Sequence, residues 1–211
     1  MRRHILLLTG LALLVSCEKG EILSNTKLCD SEYFYYSGGS KIYLKHSLSE
    51  IWIEFEQNEV TSEIAESILK NYSFIVAGFT SANNYNRIKV RINEKCDCTN
   101  FKNYLKELNK DIEILSATPV FYTSDNDPDS YLILLSEVLT KNNENLISEP
   151  DFINYAETVN LELIESKYSS QHFKVKEVKT GFEALEIANQ IYETGEVVYS
   201  HPNFIAKIVL H

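Results

Sequence analysis

The chain has 211 residues, of which 44% are hydrophobic and 24% charged, with 30 acidic against 20 basic side chains and a net charge of −10. That balance excludes a disordered chain and a multi-pass membrane protein, and the length excludes a full (β/α)8 barrel. The acidic excess repels phosphate backbones, so no nucleic-acid partner is expected, and seven glycines supply no phosphate-cradling loop.

The first residues set the expected compartment. Met1-Arg2-Arg3-His4 is a short basic region, residues 5–15 form an apolar run, and Leu14-Val15-Ser16-Cys17 follows where a signal peptidase would cut. The order resembles a bacterial lipoprotein signal. The run is shorter than the ~20 residues needed to cross a bilayer core of about 30 Å, so it does not read as a transmembrane anchor. Residues 1–16 are therefore expected to be a signal peptide and Cys17 the lipidation site. The implied location is the cell envelope, lipid-anchored to the outer membrane, with the periplasmic and the surface face both open. The mature chain would have 195 residues and, without Arg2 and Arg3, 18 basic against 30 acidic side chains. Acyl chains on one cysteine hold a domain at a membrane without a spanning helix, and residues 17–31 read as the tether.

Lipidation leaves Cys29, Cys96 and Cys98, an odd number for an oxidising compartment. Cys96-Asp97-Cys98 has no second cysteine pair or spaced histidine pair to complete a metal site, so no metal and no cofactor is expected. The plainer reading bridges Cys29 to Cys96 or Cys98.

After an aromatic hairpin, Tyr33-Phe34-Tyr35-Tyr36 turning at Ser37-Gly38-Gly39, the chain repeats itself. An offset of 83 places Pro119-Val120-Phe121 over Pro202-Asn203-Phe204, and Phe101, Leu105 and Leu108 over Ala184, Ala188 and Ile191. Glu54 falls on Glu137 at the same offset. In the first copy residues 51–56 alternate as a strand, 63–71 carry a helical stripe, 73–79 and 87–92 form a hairpin across Asn83-Asn84, 99–109 form a helix and 111–122 a closing strand. In the second copy a strand over 132–141 precedes a helix opening at Ser148-Glu149-Pro150, strands over 161–165 and 172–178, a helix over 181–193 stopped by Gly195, and a strand over 196–210. Each copy reads βαββαβ, the ferredoxin-like order. The expected fold class is α+β: two tandem ferredoxin-like units over 32–125 and 130–211, antiparallel sheets with helices on one face, and an N-terminal hairpin. Each helix should pack its own core.

The segment from Ala184 to Phe204, with Tyr192-Glu193-Thr194-Gly195 ending a helix and Pro202-Asn203-Phe204 inside a strand, resembles the end of the propeptide domain of subtilisin-like proteases, above all the prodomain-like regions of the Bacteroidetes type. Tyr33-Phe34-Tyr35-Tyr36 followed by Lys41-Ile42-Tyr43-Leu44 is similar to the start of the same proteins. The resemblance implies a ferredoxin-like module that meets a protease through its sheet and places its C-terminal strand extension in the substrate groove. Here that extension is Lys207, Ile208, Val209, Leu210 and His211. No protease domain follows residue 211, so the implied module is free-standing.

Candidate catalytic groups do not assemble. None of the five histidines lies in a serine or cysteine nucleophile motif, and Ser200 and His201, adjacent in a strand, point to opposite faces. Glu162 and Glu165 read as surface carboxylates, and Asp125, Asp127 and Asp129 lack the glycine and distant glutamate of a calcium loop. The chain is therefore expected to be no enzyme. Two function classes remain: a membrane-anchored protein-binding lipoprotein that inhibits or helps fold a subtilisin-like protease in trans, and a surface-tethered structural or adhesion protein with no protease partner.

Overall fold

The computed structural model describes residues 28–76, 86–93, 96–123, 127, 129–168 and 170–206. Cys17, residues 207–211 and the Asn83-Asn84 turn lie outside them. The described strands are β1 Leu28–Ser37, β2 Ser40–Phe55, β3 Arg87–Arg91, β4 Ile114–Tyr122, β5 Tyr131–Asn142, β6 Leu161–Lys167, β7 Ser170–Val175 and β8 Val197–Ala206. The helices are α1 Ser62–Leu69, α2 Cys98–Leu108, α3 Glu149–Thr158 and α4 Glu183–Glu193. The class is α+β with one large antiparallel sheet, in the order β1-β2-β4-β5-β7-β6, with β3 added beside β2 and β8 beside β5.

Strand β2 differs most from expectation. The second arm of the aromatic hairpin and the strand beginning at Ile51 are one continuous strand of 16 residues. Its first part pairs with β1 through a two-residue turn at Gly38-Gly39, both at positive φ, and its second part pairs with β3. β1 starts at Leu28, inside the expected tether, because Cys29 is fixed by a disulfide to Cys98 at the start of α2. Closing a loop of 69 residues stabilises by about 4 kcal/mol in the chain-entropy account. Cys96 lies outside that bridge with its thiol buried.

The strand registers correct the internal alignment. Ile51 lies opposite Val90 on one side and Pro119 on the other; Val138 lies opposite Phe173 and Pro202. β2 and β5 therefore hold equivalent partners at an offset of 87, and the helix caps Thr61 and Ser148, each accepting a backbone N–H three residues on, stand at the same offset. Glu137 thus answers to Glu50 and not to Glu54. The later strands and helices keep the offset of 83, so the four-residue difference falls between α1 and β3. Loops absorb such differences at little cost.

All four helices bury their apolar stripes on one face of the sheet, and the buried residues form one continuous core. It includes Phe101, Leu105 and Leu108 of α2 together with Leu185, Ala188 and Ile191 of α4. The expectation of two separate cores is corrected on this point. The reason is the joint at Gly181-Phe182. Phe182 stacks on Tyr33 at 4.1 Å and lies 5.7 Å from His46, 6.3 Å from Phe121. Gly181 sits at φ +81, where a Cβ would stand 2.4 Å from the Ala117 carbonyl oxygen on β4. A smaller cluster on the opposite face joins Val120, Tyr122 and Ile133 to Trp52, Tyr131 and Ile205.

Two predictions follow from the joint. Gly181→Ala should cost about 3 kcal/mol in urea unfolding, since it adds backbone overlap to a left-handed φ, whereas Gly38→Ala, with open space around its Cβ, should cost about 1 kcal/mol. Equal costs would contradict the close approach. His46, fully buried with neither ring nitrogen hydrogen-bonded, has its pKa pushed down to about 4, first by burial and then by Lys102. The unfolded imidazole binds its proton near pH 6.5, so stability is full above that pH and falls as pH drops toward 4. The loss reaches about 3 kcal/mol. His46→Leu should remove that part of the acid sensitivity, measured by unfolding between pH 7 and 4.

Candidate functional site

Alternation along β5, β7 and β8 sends every second side chain away from the helices. Across these strands His172 and His201 both lie opposite Leu139, and Glu165 of β6 lies opposite His172, so the four share one row on the helix-free face. Ser170 and Tyr199 lie beside the row, with the Tyr199 hydroxyl donating to Ser170 Oγ at 3.0 Å. Together these residues line a cleft of about 240 Å3.

Glu137 anchors the polar side of this face. Its Oε2 accepts from Asn203 Nδ2 at 2.7 Å and meets His172 Nε2 at 2.9 Å, and its Oε1 lies 3.5 Å from the Arg87 guanidinium. Arg87 also holds Glu54 at 2.9 Å, so one arginine of β3 joins carboxylates of β2 and β5. The remaining carboxylates are paired as well: Glu165 with Lys167 at 2.6 Å, Glu162 with Lys174 at 3.1 Å, Glu50 with Lys89 at 2.9 Å. Glu162 and Glu165, weighed as an acid/base pair, each face a lysine. The Glu165 carboxyl is held below its usual range by the Lys167 hydrogen bond.

His201 has a different setting. Its ring stacks on Tyr199 at 5.5 Å, burial lowers its pKa, and a hydrogen bond to the Tyr36 backbone opposes that shift. Its Nδ1 is buried without a partner. Ser200 is fully buried on the opposite face, so Ser200 and His201 share no proton. The Cys96-Asp97-Cys98 segment is structural: Cys98 is in the disulfide, and Asp97 caps α2 by accepting from Asn100 N at 2.7 Å. Among the described residues no group of three or more His, Cys, Asp and Glu side chains is placed to hold a metal ion. Asp127 Oδ1 accepts from Asp129 N in a turn, and Asp125 lies outside the described residues. The same holds for the expected protein-binding segment, Lys207 to His211, and for the expected lipidation site at Cys17. No described helix is long and apolar enough to cross a membrane.

In the sequence His172 and His201 read as separate positions, Glu137 only as the match of Glu54, and Tyr199 carries no functional signal. The signal joining them is the strand register, since residues 139, 172 and 201 share a row only once β7 and β8 are known to flank β5.

No protein-family model matches this sequence, and no curated protein matches it. Among solved structures, the small subunit of acetolactate synthase from Thermotoga maritima aligns over 77% of this chain and 98% of its own, at 13% identity and a TM-score of 0.26. At that TM-score the likeness assigns no function.

Glu137 accepts two close hydrogen bonds, one from Asn203 and one shared with His172, so Glu137→Ala should cost about 1–2 kcal/mol in chemical unfolding. The exposed Glu162 should tolerate the same change with little effect. A reversed order would show that the network does not hold the face together.

Proposed function

We propose that this chain is a membrane-anchored, non-catalytic protein-binding lipoprotein built from two tandem ferredoxin-like units, the second of which docks on a subtilisin-like protease in trans as a propeptide does. The order β8-β5-β7-β6 is that of a βαββαβ unit in which the first and third strands are central and the last strand lies beside the first, and the pairing of β4, β2 and β3, continued by the Ile75–Ile92 bridge, follows the same plan. The observation that carries the reading is the helix-free face of β5, β7 and β8. Glu137, His172, Tyr199, His201 and Asn203 stand there partly exposed, with no second layer of described residues over the cleft.

β8 also supports it. The strand pairs with β5 on one side and runs on toward residues 207–211. An extended tail adds to a protease's edge strand through backbone hydrogen bonds and fills alternate pockets with its side chains, Ile208 and Leu210 to one side and Val209 to the other. Cys17, as the acylated first residue, holds the module at the outer membrane.

Two variants test this. Cys17→Ala should move the protein from the membrane fraction to the soluble one; unchanged membrane association would sink the lipoprotein reading. Deleting residues 207–211 should abolish inhibition of a co-encoded subtilisin-like protease without lowering the melting temperature. Should the full mature chain neither inhibit nor help refold any such protease, the docking reading fails, and a tethered structural or adhesion role takes its place.

A further inference from the structure

The two halves of the sheet repeat the same pairings with one difference in chemistry. Val138 of β5 stands between Phe173 and Pro202, as Ile51 of β2 stands between Val90 and Pro119. One row further along the same face, Thr140 lies between Gln171 and Ser200, whereas Ile53 lies between Ile88 and Ala117. Beyond that row Asn142 lies opposite Val197, and Phe55 opposite Ile114. The four polar side chains Thr140, Asn142, Gln171 and Ser200 are buried as deeply as the apolar ones at the equivalent positions.

Three of the four polar residues form a chain of hydrogen bonds. Thr140 Oγ1 donates to Gln171 Oε1 at 3.1 Å, Gln171 Nε2 donates to Asn142 Oδ1 at 3.1 Å, and Asn142 Nδ2 donates to the Ile147 carbonyl at 2.8 Å, just ahead of α3. Ser200 Oγ, in the same row, has no partner among the described residues. Buried bonds of this kind add little net stability once the hydration they replace is counted, and an apolar row of similar volume holds a sheet at least as well. The first half of the sheet has such an apolar row. Stability therefore does not account for the polar one.

Discrimination does. Because the spacing is the same in both halves, β7 fits beside β2 and β3 fits beside β5 as far as the backbone is concerned. With β7 beside β2, Gln171 would face Ile53 and bury its amide without Thr140 Oγ1 or Asn142 Oδ1. With β3 beside β5, Thr140 and Asn142 would lose Gln171 and gain Ile88. A buried polar group left without its partner costs more than the bond itself contributes, so the wrong pairing is penalised and the right one is not. Repeated units are prone to such exchange, within one chain or between copies.

We propose that the buried chain Thr140–Gln171–Asn142 is a pairing device: it commits β5 to β7 and prevents the two halves of the sheet from exchanging strands, in one chain or between two copies of it. The proposal rests on the strand registers and stands apart from protease docking, whose test reads enzyme inhibition.

The test removes the bonds and keeps the shapes, with Thr140→Val, Asn142→Leu and Gln171→Met combined in the full chain. Parent and variant are unfolded in urea in a mild non-ionic detergent and refolded by dilution at about 1 and about 100 µM, with and without an equal share of isotope-labelled copies. Light scattering, native mass spectrometry and amide NMR read the products. The parent should return to one species with one set of amide signals at both concentrations. The triple variant should keep its helix and strand content and still refold to a mixture. That mixture is either about tenfold more oligomer at the higher concentration or a second set of β3 and β7 amide signals in the monomer. Its oligomers should combine labelled and unlabelled chains when the two are refolded together and not when they are mixed afterwards, which separates strand exchange from surface association. Should the triple variant fail to fold, Gln171→Met alone, which removes the central link, should give the same mixture in smaller share. Uniform refolding of the triple variant whatever its urea midpoint, oligomers that mix freely after refolding, a parent that is itself a mixture, or failure of both variants to fold would each overturn the proposal.

Discussion

The ring of Phe182 lies against Tyr33 and beside His46, and through those contacts α4, β1 and β2 share one buried space. Three conditions hold it there. Gly181 must take a left-handed φ against β4; Glu183 must cap the turn, accepting from the amides of Lys179, Thr180 and Gly181; and Tyr33 must give up hydration. Burial, helped by Glu186 and Glu183, pushes its hydroxyl up to about 12. A conventional side-chain cap is lacking at Phe182, so the carboxylate of Glu183, in the first turn of α4, takes that task and places negative charge at the positive end of the helix dipole. The space around His46 is dry and aromatic, with Phe101 at 4.8 Å and Phe121 at 6.4 Å, which explains why the imidazole stays neutral.

Side chains close the open edge of β1. Strand edges carry unpaired backbone groups, and proteins commonly cover them. Here Asn189 of α4 donates to the Phe34 carbonyl at 2.7 Å, and the Tyr36 hydroxyl donates to Glu193 at 2.8 Å. Tyr36 also stacks on Tyr192 at 4.3 Å. The tyrosine row thus belongs to the contact between the hairpin and the second half of the sheet and not to an exposed recognition surface. The disulfide at Cys29 fixes the other end of the same strand, so β1 is held at both ends before the chain leaves toward the expected tether.

How much of this was legible depended on whether a feature is local. Ser148 followed by Glu149-Pro150 announces its helix through its own chemistry, and Phe101, Leu105 and Leu108 announce a buried stripe through their spacing; both are found as expected. Asp97 as the cap of α2 was not legible, because the apolar stripe places the start of the helix only near residue 99. The continuity of β2 was hidden because its hydrophobic pattern breaks around Lys45 to Ser49, where buried His46 and Ser47 replace the expected apolar residues. The match of Glu54 to Glu137 failed because alternation has a period of two. An offset of 83 and one of 87 place the same faces inward, and only cross-strand partners distinguish them. The cleft was the least legible feature, since its residues come from β5, β6, β7 and β8 and meet through pairing alone.

Charge is divided unevenly over the two faces. The four helices carry nine acidic and two basic side chains, with α1, α3 and α4 holding no basic residue. On the helix-free face, by contrast, Glu50, Glu54, Glu137, Glu162 and Glu165 each have a cationic or histidine partner. The net charge of −10 therefore acts mainly from the helix side, as a long-range negative field, while the face with the cleft presents compensated pairs. On the docking reading, a basic rim on the protease would be attracted by this field, which speeds encounter more than it strengthens the final contact. Added salt should then slow encounter through the helix-side field and leave contacts within the cleft nearly untouched, because screening weakens long-range attraction and not hydrogen bonds made at 3 Å.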